Sequence, residues 1–190
     1  MIAGILLAAG SASRFGGRKL LQPLNNDLYI GASAARSLLL AVDRTVAVVR
    51  PGDLEVAQML RGEGAEVVLC ANAAEGMGSS LACGVRATAA ADGWIVALAD
   101  MPRVDPATIR SIAALIAGGA QLAAPFFEGQ RGHPVGFGVR FLDELLALSG
   151  DAGARAILTR HLAQLVHYDT LDRGILVDID TPQDLALLRQ

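Results

Sequence analysis

Short, unbroken apolar runs separated by longer stretches of helical period constrain this chain more than any other feature. The run Trp94–Ala99, WIVALA, carries apolar side chains at both parities. A strand built from it has to be buried on both faces, as in parallel sheets covered by helices on two sides. Further strands are expected at Ile2–Leu7, Thr45–Val49, Glu66–Leu69, Gln121–Ala124, Val135–Gly138 and Gln164–Tyr168. Helical patterns fill Gly31–Val42, Asp53–Leu60, Ser79–Ala90, Pro106–Ala117, Val139–Leu148, Ala152–His161 and Pro182–Leu188. Asp105-Pro106 and Thr181-Pro182 each set a capping side chain ahead of proline at the first helical position, which marks two helix starts. Strands alternating with helices in this way define an α/β class, a three-layer Rossmann-like arrangement whose sheet is mostly parallel with helices on both faces.

The 190 residues suffice for one core, and no repeat, low-complexity tract or Pro/Gly/Ser-rich linker divides them, so a single domain over 1–190 is expected. With 53% hydrophobic and 18% charged residues the composition is far from that of a disordered chain. No apolar stretch reaches the roughly 18 to 20 residues of a membrane helix, so no membrane partner is expected. MIAGILLAAG lacks the basic region of a signal peptide, and a cytoplasmic chain is expected. Cys70 and Cys83 have no CxxC spacing and read as buried, inert thiols. A net charge of −3 argues against a nucleic-acid surface, so any anionic ligand has to be met locally.

In such sheets ligands bind outside the carboxyl ends of strands, and several loops there are unusual. In the first, Leu7–Lys19, Gly10, Gly16 and Gly17 let backbone N–H groups approach an anion while Arg14 and Lys19 supply positive charge, a combination suited to a triphosphate. Ala12 breaks a GxGxxG fingerprint and no G-K-[ST] closes a P-loop. The competing reading is a plain strand-to-helix connection with surface Arg and Lys. Asp100 directly follows an all-apolar strand, where a carboxylate suits Mg²⁺ or caps the turn before Pro102. Asp178 and Asp180, two apart on an extended segment, point the same way and so face one metal, unless Asp180 or Thr181 is merely the cap of the last helix. Asn72–Ser80 enters a helix whose N-terminal amides favour an anion or a base edge; Ser79 and Ser80 as simple caps are the alternative. Phe126–Gly138 reads as a turn or hairpin beside the main crevice, and its His133, between Gly132 and Pro134, is not expected to be a packed core histidine.

Taken together, LAAG-x3-R-x-G-x2-K at 7–19, NxxxGMGSSL at 72–81, LADMP at 98–102, RGHPVGF at 131–137, GDAGAR at 150–155 and DIDTP at 178–182 resemble the MobA-like nucleotidyltransferases, in the family's order over nearly the whole chain. Within them the resemblance is strongest to the molybdenum cofactor cytidylyltransferases. The resemblance implies a sheet of the nucleotide-diphospho-sugar transferase type. It also implies an enzyme that binds a nucleoside triphosphate with Mg²⁺ and moves the nucleotidyl group to a phosphate-bearing acceptor, releasing pyrophosphate. In the cytidylyl branch the acceptor is molybdopterin, and a molybdoenzyme apoprotein is a further partner.

By the family pattern Leu7, Ala8, Ala9, Gly10 and Ser11 contact base and phosphates. Arg14 and Lys19 meet the phosphates and with Asp100 carry the catalysis, while Asn72, Gly78, Ser79 and Ser80 hold the nucleoside. Asp100, Asp178 and Asp180 hold the metal, and Arg131, Gly132, His133, Pro134 and Asp151 meet the acceptor. Ala9 in LAAG resembles cytidine users, whereas guanosine users commonly read LAGG, so CTP is expected. Members often carry G-x-P after the first loop; this chain reads NNDLYIGASAARSLL there. Related chains act on sugar phosphates, isoprenoid precursors or phospholactate, so another phosphorylated acceptor, or GTP, is the first alternative. A non-catalytic protein that binds and delivers molybdenum cofactor is the second. A dinucleotide oxidoreductase is disfavoured by the broken fingerprint.

Overall fold

The computed structural model describes residues 1–10, 15–25 and 28–189. Ser11 and Arg14 therefore lie outside the described residues. Ten strands and seven α-helices follow in the order β1 (Ile2–Leu7), β2 (Pro23–Asn25), β3 (Leu28–Tyr29), α1 (Ile30–Leu39), β4 (Arg44–Val49), α2 (Leu54–Gly62), β5 (Glu66–Leu69), α3 (Met77–Ala87), β6 (Gly93–Leu98), α4 (Pro106–Ala117), β7 (Leu122–Phe127), β8 (Gln130–Arg131), β9 (Val135–Gly138), α5 (Leu142–Leu146), α6 (Arg155–Arg160), β10 (Leu165–Asp169) and α7 (Pro182–Leu188), counted among the described residues.

The main sheet runs β10-β7-β9-β6-β1-β4-β5, with β8 paired to the end of β7. The pairs β1–β4, β1–β6, β4–β5 and β7–β10 are parallel. β9 is antiparallel to both β6 and β7, which makes β7 and β10 run with β6 and β1. Six strands thus end at one edge, and strand order reverses at β1, where a crevice opens.

Parity along β1 shows why the run is apolar throughout. Ile2 and Leu6 enter one core layer with Leu38, Leu60 and Ile112 of α1, α2 and α4. Ala3 and Ile5 enter the other with Leu81, Leu145 and Ile157 of α3, α5 and α6. A third, smaller cluster of Leu24, Ile30, Ile179 and Leu185 pins the C-terminal segment to the β2–β3 ladder and the start of α1.

Both proline-marked starts are found, with Asp105 accepting from the Ala107 N–H and Thr181 forming a reciprocal capping box with Asp184. Other boundaries move for backbone reasons. Gly76, at φ 131°, ends the preceding turn and lets α3 begin at Met77 instead of Ser79. The single helix expected over Val139–Leu148 is a 3₁₀ turn at Val139–Phe141 followed by the short α5. The one expected over Ala152–His161 is broken by Gly153, at φ 51°, so that α6 starts at Arg155. The expected hairpin is present: β7 runs to Phe127 and turns through Glu128 and Gly129, both at positive φ, into β8. Among the described residues no helix is long and apolar enough to cross a membrane.

Candidate active site

The first loop returns through Gly16, Gly17 and Arg18, at φ 86°, 99° and 50°, a run of left-handed backbone that two glycines make accessible. This reversal drops Lys19 into a short 3₁₀ turn, Lys19–Leu21, with its side chain only 10% exposed. The Lys19 ammonium donates to Asp100 Oδ2 at 2.8 Å and to Asp180 Oδ1 at 3.5 Å. Asp100 stands just past the end of β6. Asp180 is aligned by Ile179, whose side chain is fully buried and whose N–H donates to the Asp100 carbonyl at 3.0 Å. Burial of Ile179 forces its two neighbours to the opposite side. The cap of α7 belongs to Thr181, and the Asp100 carboxylate goes to Lys19 rather than to the turn before Pro102.

Asp178 joins this group electrostatically. Partial burial raises its carboxyl above the usual range, and the nearby Asp180 and Asp100 carboxylates add to the effect while its own N–H and Lys19 oppose it. The three aspartates nevertheless do not close into a three-ligand metal cage, and no set of three His, Cys, Asp or Glu among the described residues does so. The Lys19 ammonium stands between the Asp100 and Asp180 carboxylates, and Asp178 lies near enough to feel both.

A cleft of about 1070 Å³ opens beside Lys19 and Asp100, walled by Leu7–Gly10, by the 17–21 turn and by the N-terminal ends of α2 and α3. Leu7, Ala8, Ala9, Gly10, Ser80 and Asp151 line it. Asn72, Gly78 and Ser79 do not. Ser79 is buried, with its hydroxyl donating to Glu75 at 3.0 Å and accepting the Gly150 N–H at 3.3 Å. Gly78 is needed because a Cβ there would stand 2.8 Å from the Ser149 carbonyl oxygen. These two residues hold the loop carrying Asp151 against α3. Asn72 is exposed and leans on Glu75 at 3.5 Å.

Arg131, Gly132, His133 and Pro134 are likewise absent from the cleft wall, and Asp151 is separated from them by joining it. Gly132 donates its N–H to Pro125, and His133 donates its N–H to Ile175 at 3.0 Å, so the segment is strapped across β7. The His133 ring is more enclosed than expected, with Nδ1 shut away from solvent and no hydrogen-bond partner among the described residues. Burial lowers its pKa and Arg131 lowers it further, against the opposing pull of Asp100 and the Val96 carbonyl. A neutral imidazole therefore stands within the field of Asp100.

Arg50 escaped the sequence reading. Its Nε donates to the Ala9 carbonyl at 2.7 Å, clamping the first loop from the end of β4. The available signal was a charge directly after a wholly buried strand, the same signature that exposed Asp100. Arg18 pairs with Glu55 of α2 at the mouth of the cleft.

A family model described as MobA-like NTP transferase domain matches residues 4–165. The chain belongs to the MobA-like NTP transferases. It is 28% identical over 98% of its length, and 95% of the relative's, to the purine catabolism protein PucB of Bacillus subtilis. It is 27% identical over 98% of its length, and 96% of the relative's, to the nicotine blue oxidoreductase of Paenarthrobacter nicotinovorans. A solved nucleotidyl transferase from Methanothermobacter superposes with a TM-score of 0.85 at 28% identity, covering 100% of this chain and 96% of that one. The chain is thus a nucleotidyltransferase of α/β fold whose domain acts on a nucleoside triphosphate.

Proposed function

We propose that this nucleotidyltransferase, a single domain acting in the cytoplasm, transfers CMP from CTP to the terminal phosphate of molybdopterin and releases pyrophosphate. The observation that carries the reading is the buried Lys19 ammonium, held between Asp100 and Asp180 at the floor of a cleft walled by Ala8, Ala9 and Gly10. A buried cation beside open glycine-loop amides is an anion site poised where phosphates enter.

An acceptor phosphate oxygen attacks the α-phosphorus in line, the bond to the β-phosphate's bridging oxygen breaks, and the pair of electrons leaves with pyrophosphate. Lys19 meets the negative charge that grows on the phosphates, and the Gly10 and Gly17 backbone admits them closely. The wall of Leu7–Gly10, clamped by Arg50, fixes where the nucleoside lies. Alignment of two bound reactants supplies roughly 7–11 kcal/mol of barrier reduction without a protein nucleophile.

The residues also fit a divalent cation. Asp100 and Asp180 bring two carboxylates together beside Lys19, and Mg²⁺ characteristically binds through one or two carboxylates completed by substrate phosphates. Asp100 and Asp180 would hold the Mg²⁺, which would supply neutralisation of the charge developing on the leaving group. Asp178 would tune this pair through its charge.

Thermal-shift titration with CTP, GTP, ATP and UTP in Mg²⁺ tests the nucleotide choice. A ligand at 100 times its Kd stabilises the native state by about 2.7 kcal/mol, a rise of about 5–10 °C for a chain of this size. CTP should give the largest rise; stabilisation by GTP alone overturns the cytidylyl reading. Nucleotide binding without any pyrophosphate release would instead favour a delivery protein.

A further inference from the structure

Among the described residues three cations line the cleft, and two of them have carboxylate partners: Arg18 has Glu55, while Lys19 has Asp100 and Asp180. Arg50 has none. Its side chain makes one hydrogen bond among the described residues, the Nε donation to the Ala9 carbonyl. The half-buried guanidinium is thus fixed by one nitrogen and keeps both terminal Nη groups as unused donors.

Asp53 stands beside it. The Asp53 N–H donates to the Arg50 carbonyl at 3.1 Å and closes a turn whose first corner is set by Pro51. The Asp53 side chain leaves α2 uncapped and, among the described residues, forms no ion pair with Arg50. A short, stiff turn therefore holds two opposite charges on one wall of the cleft without either neutralising the other. Half-buried charges kept apart in this way are costly until a ligand meets them.

Register gives their distance from the reacting end. Leu7 aligns with both Val48 and Leu98, so Arg50 and Asp100 each come two residues further on, along strands that flank β1. Those strands lie two spacings apart, or about 10 Å. With the phosphates at Lys19 and Asp100, the base falls at the Arg50–Asp53 turn. Ala9 cannot choose that base through its side chain, because it is buried in the core layer of α3, α5 and α6, and its carbonyl is taken by Arg50.

We infer that Arg50 and Asp53 read the base: the two Nη groups donate to the adjacent acceptors O2 and N3 of cytosine, and the carboxylate accepts from its N4 amine. The inference rests on the reading of CTP as donor and deepens it. A guanidinium fork matches two neighbouring acceptors, and a carboxylate is the natural partner of the cytosine amine. Uracil reverses the pattern at two of the three points, with an N–H at N3 and a carbonyl in place of the amine. Mispairing of this kind costs roughly ten- to hundredfold in affinity.

Isothermal titration of the full chain with CTP, UTP and GTP in Mg²⁺, without acceptor, is the test. The parent should bind CTP roughly ten- to hundredfold more tightly than UTP. Asp53→Asn, whose amide can donate to the uracil carbonyl and whose turn is closed by backbone, should bring the two within about threefold. Arg50→Lys keeps the charge and loses the fork, and should narrow the CTP–UTP ratio at least about fivefold. A clamp that merely shapes the first loop would weaken every nucleotide alike. Equal weakening of all three nucleotides in both variants, with the parent's preference for CTP kept, therefore overturns the inference and leaves the cytidylyl reading standing. A parent that prefers GTP, with that preference lowered in Asp53→Asn, sinks the cytidylyl reading and the cytosine assignment while leaving the pair as the base reader. A parent that binds none of the three overturns both.

Discussion

Replacing Lys19 with Met removes the cation between Asp100 and Asp180 while keeping a stem of similar length. At 2.8 Å the Lys19–Asp100 attraction is about 6 kcal/mol at an effective dielectric of about 20, and about 1.5 kcal/mol in bulk water. Lys19 is 10% and Asp100 25% exposed, so much of that attraction is offset by desolvation, and a net coupling of about 1–3 kcal/mol is expected. Asp180, 40% exposed and 3.5 Å away, adds less than about 1 kcal/mol. A urea-unfolding cycle of Lys19→Met, Asp100→Asn and the double variant measures the coupling directly. Turnover of the same variants should fall at least about 100-fold in kcat/KM for Lys19→Met, equivalent to about 2.7 kcal/mol of transition-state stabilisation. A coupling below about 0.3 kcal/mol refutes the ion pair, and a Lys19→Met enzyme within threefold of the parent refutes its part in catalysis.

Other consequences are equally accessible. Thr88 Oγ1 accepts the buried Trp94 indole N–H at 2.9 Å, so Thr88→Val should destabilise by about 1–3 kcal/mol in urea unfolding; an unchanged midpoint would contradict it. Gly78→Ala should push the Asp151 loop off α3 and raise KM for nucleotide, since its Cβ would meet backbone at 2.8 and 2.9 Å; parent-like kinetics would disprove that packing. The Asp184 carboxyl is held below its ordinary value by the Thr181 hydroxyl and the Thr181 and Asp180 N–H groups. A depressed folded-state pKa contributes stability that is complete above the unfolded value near 4 and lost as pH falls through the folded one. The melting-temperature gap between the parent and Asp184→Asn should therefore be full at pH 6 and shrink below about pH 4; a gap independent of pH would refute the capping role. Burial first, and neighbouring Cys70 next, push the Cys83 thiol up to about 11, and Cys70 is itself buried, so neither should label with a disulfide reagent at pH 7.5 until the chain unfolds. Prompt native labelling would show that one of them is accessible.

The layer architecture was legible because burial on both faces leaves no polar parity in strands such as Trp94–Ala99. The starts of α4 and α7 were legible because Asp105-Pro106 and Thr181-Pro182 carry their own hydrogen-bond instruction. α1 has no side-chain cap, and its start at Ile30 follows from packing in the small cluster with Ile179 instead. The break between α5 and the preceding 3₁₀ turn carries no glycine or proline at all, so periodicity joined them. Asp100 and Lys19 were found as separate loop residues, each with a bland alternative. Their hydrogen bond spans 81 positions, a relation that no local pattern encodes. Ser79 shows the converse: its place at a helix N-terminus suggested a ligand contact, while its neighbour Glu75 and the distant Gly150 claim its hydroxyl.

Cytidylyl transfer at the Lys19–Asp100 end of the cleft is tested most directly by following both products at once. CTP labelled at the α-phosphate is incubated with the chain, Mg²⁺ and molybdopterin. Label should move to the pterin in step with one pyrophosphate per transfer, and Asp100→Ala should abolish both while keeping the circular-dichroism spectrum of a folded chain. Label that stays on CTP with the parent chain, or transfer that persists undiminished in Asp100→Ala, would contradict it.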